Sequence, residues 1–186
     1  TIDAAFLRQI GLVGMGGSMF PASHKLAACR HVHTVIINAV ECEPGVTIDQ
    51  ALLRAEPHAI QRGARALAAA VNADRILLAV QHDPCREADW RERYDMELVT
   101  MPATYPAGAE RLIVRKLTGR DLATGELPLH AGYLVHNVAS LRALGRALED
   151  RLPVIERPLS VVSPGEGIHR NLVVPVGLPV RTLLRH

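Results

Sequence analysis

The hydrophobic pattern over the first 155 residues alternates between short β-branched runs and amphipathic stretches. Three runs predict strands: TVIINAV at 34–40, RILLAV at 75–80 and MELVTM at 96–101. Such runs are typical of strands that are covered on both faces. Between and after them the pattern predicts helices at 4–11, 48–71 with a division at Pro57, 85–94, 106–117 and 137–149. A short extended piece is expected at 133–135. This alternation predicts an α/β layered fold.

The pattern changes in the tail. Residues 159–162 and 171–174 predict two strands joined by a hairpin that contains Gly and Pro, and 180–184 predict the start of a helix. We therefore expect an α/β domain at 1–157 and a small β-rich module at 158–186.

Composition narrows the function classes. The 186 residues carry 21 Lys and Arg against 19 Asp and Glu, a formal charge of +2, which is too small for a dedicated nucleic-acid binder. No apolar run reaches the roughly 18 residues that span a membrane, so we expect no direct membrane insertion. No signal peptide is visible, and a cytoplasmic location is expected.

The cysteines and histidines do not suggest a metal centre. Cys29, Cys42 and Cys85 are scattered, without C-x-x-C spacing or a disulfide framework. The nine histidines lack metal-ligand spacing. Cys42 is flanked by acids, and this negatively charged environment disfavours a nucleophilic role.

The first candidate site is the Gly-rich loop at 14–21. Glycine lets a ligand approach the backbone closely, and backbone N–H groups can cradle a phosphate or the edge of a flat ring. Lys25 adds a positive charge for an anion. The alternative is a tight helix-to-strand connection without a ligand. The loop follows a helix rather than a strand, so it does not fit the dinucleotide fingerprint.

The second candidate, NAVECEPG at 38–45, follows a predicted strand, where open α/β sheets bind ligands. Asn38 is suited to hydrogen bonding at a heterocycle edge. Glu41 and Glu43 are suited to sugar hydroxyls, or they perturb one another's protonation. The alternative is a turn with solvated acids.

Two further candidates open helices. YPAGAE at 105–110 combines a phenol ring with a glycine, and its alternative is an ordinary strand-to-helix turn. In HNVAS at 136–140, Asn137 and Ser140 are suited to helix capping, or to a phosphate site at a helix N-terminus.

Six stretches, in this order and spacing, resemble one family: the flavin- and NADH-binding subunit of respiratory complex I and its relatives, above all the C subunit of the Rnf electron-transport complex. They are GLVGMGGSMFPASHKL (11–26), INAVECEPGVTIDQALL (37–53), YPAGAERLIVRKLTGR (105–120), GYLVHNVASL (132–141), PLSVV (158–162) and NLVVPVGLPVRTLL (171–184). The ECEP and YP-x-G-x-E forms favour the Rnf branch.

The resemblance implies a Rossmann-like parallel sheet core that binds FMN, followed by the start of a soluble-ligand-binding β-grasp (SLBB) module at 158–186. It implies that NADH passes hydride to FMN and that electrons leave through iron–sulfur clusters. Because this chain offers no cluster site, we expect the acceptor to be an iron–sulfur partner protein or a missing domain. Attachment at the inner membrane would then occur through partners.

Carried over motif by motif, the resemblance assigns thirteen cofactor-binding residues. Gly14, Gly16, Gly17, Phe20 and Lys25 would form the nicotinamide and flavin loop. Asn38, Glu41 and Glu43 would contact the flavin and its ribityl chain. Tyr105, Gly108 and Glu110 would lie along flavin and NADH, and Asn137 and Ser140 would hold the FMN phosphate. No acid or base is assigned, because hydride transfer depends on ring orientation.

Several features depart from the family pattern. Ser18-Met19 stands where Ala-Gly is usual, and His136 stands where Asn or Gln is common. Ala109 stands where complex I has an acidic residue. Aromatic residues make up only 3% of the chain. The chain begins at Thr1 and stops before a β-grasp module closes, so we expect a fragment or a short family member. Two alternatives stay open: a flavin-free scaffold of this fold, and a cobalamin-reductase-like member.

Overall fold

A four-stranded parallel sheet forms the centre of the computed structural model, which describes residues 2–185. Its strands are β1 (Thr34–Ala39), β2 (Arg75–Gln81), β3 (Glu97–Met101) and β4 (Tyr133–Asn137). The helices are α1 (Ala4–Gln9), α2 (Ala22–Ala27), α3 (Ile48–Ala55), α4 (Pro57–Val71), α5 (Pro84–Tyr94), α6 (Glu110–Thr118), α7 (Val138–Asp150) and α8 (Val180–Leu183). Strands β5 (Glu156–Ser163) and β6 (Ile168–Pro175) form a separate antiparallel hairpin.

Helices cover both faces of the sheet, because the strand side chains on each face are apolar. One face packs against α4, α5 and α7, whose buried side chains include Ile60, Tyr94 and Leu141. The other face packs against α6 through Ile113 and Val114. The predicted α/β fold with a layered parallel sheet is confirmed.

The strand order is β3-β2-β1-β4. The chain therefore builds outward from β1 to β3 and then crosses back to place β4 on the other side of β1. Open α/β sheets bind ligands outside the carboxyl ends of the strands at such a reversal. Here the reversal lies between β1 and β4, which end at the register partners Asn38 and Asn137, and we call the surface at these strand ends the β1–β4 crevice.

Three local features differ from what the sequence predicts. The helix expected at 106–117 begins later, at Glu110, because residues 105–109 form a loop whose Gly108 is bound on both sides. Helix α2 was not predicted. The dense charges of both signs at 85–94 predict a solvated helix, but Trp90 and Tyr94, four positions apart, bury one stripe of it.

The β5–β6 hairpin follows α7 and pairs Leu159 with Leu172 near its middle. The two tail strands are thus observed, each longer than expected. The division at residue 157 and the SLBB character of the tail stay predictions. Among residues 2–185, no helix has the length and apolar character needed to cross a membrane.

Candidate functional site

At the β1–β4 crevice, the side chain of Asn137 links the starts of two helices. The Asn137 Oδ1 accepts the Ala139 N–H at 2.9 Å and so caps α7, as the sequence predicted. Its Nδ2 donates to the Asp49 carboxylate at 2.7 Å. The amide of Asn137 therefore fixes the start of α7 and ties it to the start of α3.

A buried carboxylate caps α3 from outside the helix. The Glu41 oxygens accept the N–H groups of Asp49 at 2.6 Å and Gln50 at 3.2 Å. Thr47 occupies the usual capping position, yet its side chain makes no cap hydrogen bond. Glu41 thus satisfies backbone donors that a helix N-terminus leaves without partners.

The environment raises the pKa of both carboxyl groups. Burial, with the nearby Asp49 carboxylate, raises the pKa of Glu41 to about 7, and it outweighs the two N–H bonds and the positive charge of Arg86. Burial raises the pKa of Asp49 to about 6, aided by Glu43 and opposed by the Asn137 bond. The crevice therefore holds two acids that change charge near neutral pH.

We expect stability to fall as pH rises through this range. The ordinary pKa of Glu41 is 4.5 and its folded value is about 7, so between these values the folded chain holds more protons than the unfolded chain. Protonated Glu41 therefore contributes to the free energy of unfolding below pH 4.5, and this contribution is lost as pH rises to about 7. Asp49 acts in the same direction. Urea unfolding should show a loss of about 2–3 kcal/mol across this window.

Glu41→Gln should flatten that pH dependence, because it removes the larger titration. Glu92→Gln, at an exposed carboxylate of α5, should leave it unchanged. Equal pH slopes for the wild type and Glu41→Gln would contradict the assignment.

The Gly-rich loop at 14–20 is fastened to the start of α7. The Gly14 N–H donates to the Phe20 carbonyl oxygen at 2.8 Å and closes the loop on itself. The Met15 N–H donates to the Ser140 Oγ at 2.9 Å. Ser140 is almost completely buried, so the structure gives it a loop-anchoring role.

The glycines of this loop serve two purposes. A β-carbon at Gly16 would lie 3.2 Å from the Asn137 Cβ, so this glycine permits close packing within the protein. Gly17 has φ +103°, and a β-carbon there would meet no atom within 4 Å. This open space leaves room for a ligand. Met19 adopts φ 52° with 59% of its surface exposed, so its side chain points away from the packed part of the loop.

The Lys25 ammonium makes two polar contacts with elements beside the Gly-rich loop's helix α2. Its Nζ donates to the Glu110 carboxylate at 2.7 Å and to the Val135 carbonyl oxygen. Burial, together with the Lys25 charge, lowers the pKa of the neighbouring His136 to about 3, so this histidine is neutral. The cation thus joins the carboxyl end of β4 to the start of α6.

Gly108 brings the loop after β3 against the end of β1. The Asn38 Nδ2 donates to the Gly108 carbonyl oxygen at 2.9 Å, and the Gly108 N–H donates to the Cys42 Sγ at 3.3 Å. A β-carbon here would lie only 2.6 Å from the Val40 carbonyl oxygen, so no larger residue fits. Gly108 and Cys42 therefore have packing roles in this structure.

Two rings border the site without packing into it. Phe20 is 52% exposed and Tyr105 is 72% exposed. Tyr105 borders a surface pocket of about 430 Å³ on the outer side of its loop, which the sequence did not predict. Its lining includes Met101, Pro102, Leu112, Arg115 and Lys116.

The structure brings most residues chosen from the sequence into one cluster at this edge of the sheet; Glu43, Phe20 and Tyr105 lie exposed at its rim. Sequence reasoning missed Asp49 and Thr47. A signal was available, since Thr47-Ile48-Asp49-Gln50 has the form of a capping box. Within residues 2–185, no group of three or more His, Cys, Asp and Glu side chains is arranged to hold a metal ion.

Comparison with known proteins identifies related sequences. The model of the Nuo51 FMN-binding domain family matches residues 7–146. The C subunit of the ion-translocating oxidoreductase complex of Rhodobacter capsulatus is 33% identical over 98% of this chain, and that of Pasteurella multocida is 34% identical over 96%. The chain spans 37% and 22% of these relatives' lengths.

Solved structures agree on the fold. The NAD+-reducing [NiFe]-hydrogenase in its H2-reduced state matches 79% of this chain with a TM-score of 0.68 and 25% identity, over 30% of that chain. The air-oxidised state matches 98% with a TM-score of 0.75 and 22% identity, over 38% of that chain. Since the family model matches well over half of its residues, the chain belongs to the Nuo51 FMN-binding domain family, as its sequence motifs indicated.

Proposed function

We propose that this chain is an electron-transfer flavoprotein module that binds FMN in the β1–β4 crevice and accepts hydride from NADH. One observation carries the proposal: the motifs chosen from four separate parts of the sequence meet at the point where the strand order reverses. Open α/β sheets bind cofactors at that position. Family membership and the relatives named as the C subunit of an ion-translocating oxidoreductase complex support the same conclusion.

The residues present fit FMN. Lys25 uses two of its three N–H donors on Glu110 and Val135, so among the described residues a third donor remains to meet a phosphate or a ring oxygen. The turn at Gly17 leaves its backbone uncovered on one side, as the approach of a flat ring requires. Asn38 and Asn137 supply rigid amides, each held by a second hydrogen bond.

Bound FMN would supply a two-electron acceptor that can also release electrons singly. The protein's part is orientation and exclusion of water. Lys25 and Asn38 hold the loop at 105–110 against the sheet, and Ser140 holds the Gly-rich loop over α7. The exposed rings of Phe20 and Tyr105 are available to stack on a nicotinamide or adenine.

Electron exit needs another protein or domain. Cys29, Cys42 and Cys85 are free thiols, and the iron–sulfur acceptor in this proposal lies outside the chain. We propose a cytoplasmic position, with peripheral attachment to a membrane complex through such partners.

We expect NADH to bleach the visible absorption band of the FMN-loaded chain under anaerobic conditions. Gly17→Val should slow this reduction roughly tenfold or more, because a branched side chain at φ +103° is strained and would occupy the open approach. Gly165→Val, at an open position of the hairpin turn, is the matched control and should reduce at the wild-type rate. Bound FMN that dithionite bleaches and NADH does not would overturn the assignment of NADH as donor.

A further inference from the structure

The β5–β6 hairpin contacts the candidate site at two loops. The Arg157 guanidinium donates to the Met15 carbonyl oxygen in the Gly-rich loop at 3.3 Å. On the other side of the crevice, side chains of Ser160 and Asn171 bind Thr47. The loop that carries Glu41 and the loop that carries Gly17 are thus both held by side chains of the β5–β6 hairpin.

The Thr47 contacts form a dense polar clamp. The Asn171 Nδ2 donates to the Thr47 carbonyl oxygen at 3.2 Å and lies 2.9 Å from its hydroxyl. The Thr47 N–H donates to the Ser160 Oγ at 3.2 Å, and that hydroxyl donates to the Asn171 Oδ1 at 2.7 Å. The His169 Nε2 lies 3.0 Å from the Thr47 hydroxyl.

This clamp explains why Thr47 does not cap its own helix. Its hydroxyl is used by the hairpin, and the buried Glu41 carboxylate takes the Asp49 and Gln50 N–H groups instead. Since the loop at 42–47 is held from outside, Glu41 reaches these amides and Asp49 reaches Asn137. Val162 packs against Gly45 in the same loop. A β-carbon added at Gly45 would lie 3.0 Å from a Val162 methyl group.

We propose that Thr47 and Asn171 are positioning residues of the cofactor site, through which the hairpin fixes Glu41, Asp49 and Asn137. Neither residue needs to touch the cofactor. The hairpin is then part of the site's construction and not only a module that follows it. The cofactor part of this inference rests on the proposed FMN function.

The test compares Thr47→Val with Thr47→Ser, because valine removes the hydroxyl and serine keeps it. The first readout is the rate of amide hydrogen exchange in the chain without cofactor. The exchange rates of the Asp49 and Gln50 N–H groups should rise about five- to tenfold in Thr47→Val and in Asn171→Ala. Thr47→Ser should exchange like the wild type. Ser163→Ala, which removes a hairpin hydrogen bond to Glu166 away from the clamp, should also match it.

FMN affinity, measured by quenching of flavin fluorescence, is the second readout. Thr47→Val and Asn171→Ala should bind FMN roughly tenfold more weakly than Thr47→Ser and Ser163→Ala. Equal exchange in Thr47→Val and Thr47→Ser would overturn the inference, as would unchanged FMN affinity in both clamp variants. Absence of FMN binding by the wild type would refute the proposed function instead, and the exchange data would still decide whether the clamp exists.

Discussion

Gly145→Ala should destabilise the chain by about 3 kcal/mol or more, the largest stability effect that we expect from a single methyl group. Gly145 lies where α7 crosses α4, and a β-carbon there would collide with the Ala59 carbonyl oxygen. A β-carbon at Gly63 on α4 would collide with the Leu141 carbonyl oxygen in the same way. The two helices therefore touch backbone to backbone, and no side-chain rotation relieves the collision.

Urea unfolding followed by circular dichroism measures this effect. Gly165→Ala is the matched control, because that glycine has open space and an ordinary φ, and we expect a change within about 0.5 kcal/mol. Because Asn137 caps α7 and Ser140 lies in its first turn, any Gly145→Ala protein that folds should also bind FMN more weakly. Equal unfolding midpoints for the two variants would contradict the close helix crossing.

Arg142→Ala should be the second large effect, at about 2–4 kcal/mol. The Arg142 side chain is 3% exposed and pairs with Glu56 at 2.7 Å and with Glu156 at 2.8 Å. Its removal leaves the two partly buried carboxylates beside the more distant Arg146, which lies 3.7 Å from Glu56 and 3.5 Å from Glu156. Glu156 begins β5, so the hairpin should also loosen from the α/β domain.

Arg146→Ala is the comparison for this change. Arg146 contacts the same two carboxylates but is 44% exposed, so water screens its charge and we expect less than about 1 kcal/mol. Proteolysis at 151–155 should accelerate in Arg142→Ala and not in Arg146→Ala. Similar stability losses for the two variants would show that the buried ion pairs do not hold the hairpin.

The sequence predicted those parts of the fold that local patterns determine. The apolar runs of β1 and β2 and the Asn137 cap of α7 follow from side chains that are neighbours in the chain. The strand order and its reversal were not predicted, because pairing of β1 with β4 joins residues about a hundred positions apart.

The candidate site was predicted as a set of motifs but not as a network. Asn137 was chosen as a cap and phosphate ligand, yet its bond to Asp49 spans 88 positions and leaves no local signature. Gly16 and Gly108 were assigned to the cofactor by the resemblance, and the sequence did not predict that both also make room for protein atoms. Met19, which stands where the family pattern has a glycine, lies exposed at the rim.

The central claim is that the crevice between β1 and β4 binds FMN, and titration of the purified chain with FMN tests it most directly. Flavin fluorescence should be quenched saturably at one FMN per chain, with a Kd below about 10 µM. Lys25→Met should weaken binding roughly tenfold or more, because the Lys25 cation and its remaining N–H donor are lost. A well-folded chain that leaves flavin fluorescence unchanged at high micromolar FMN would contradict the account.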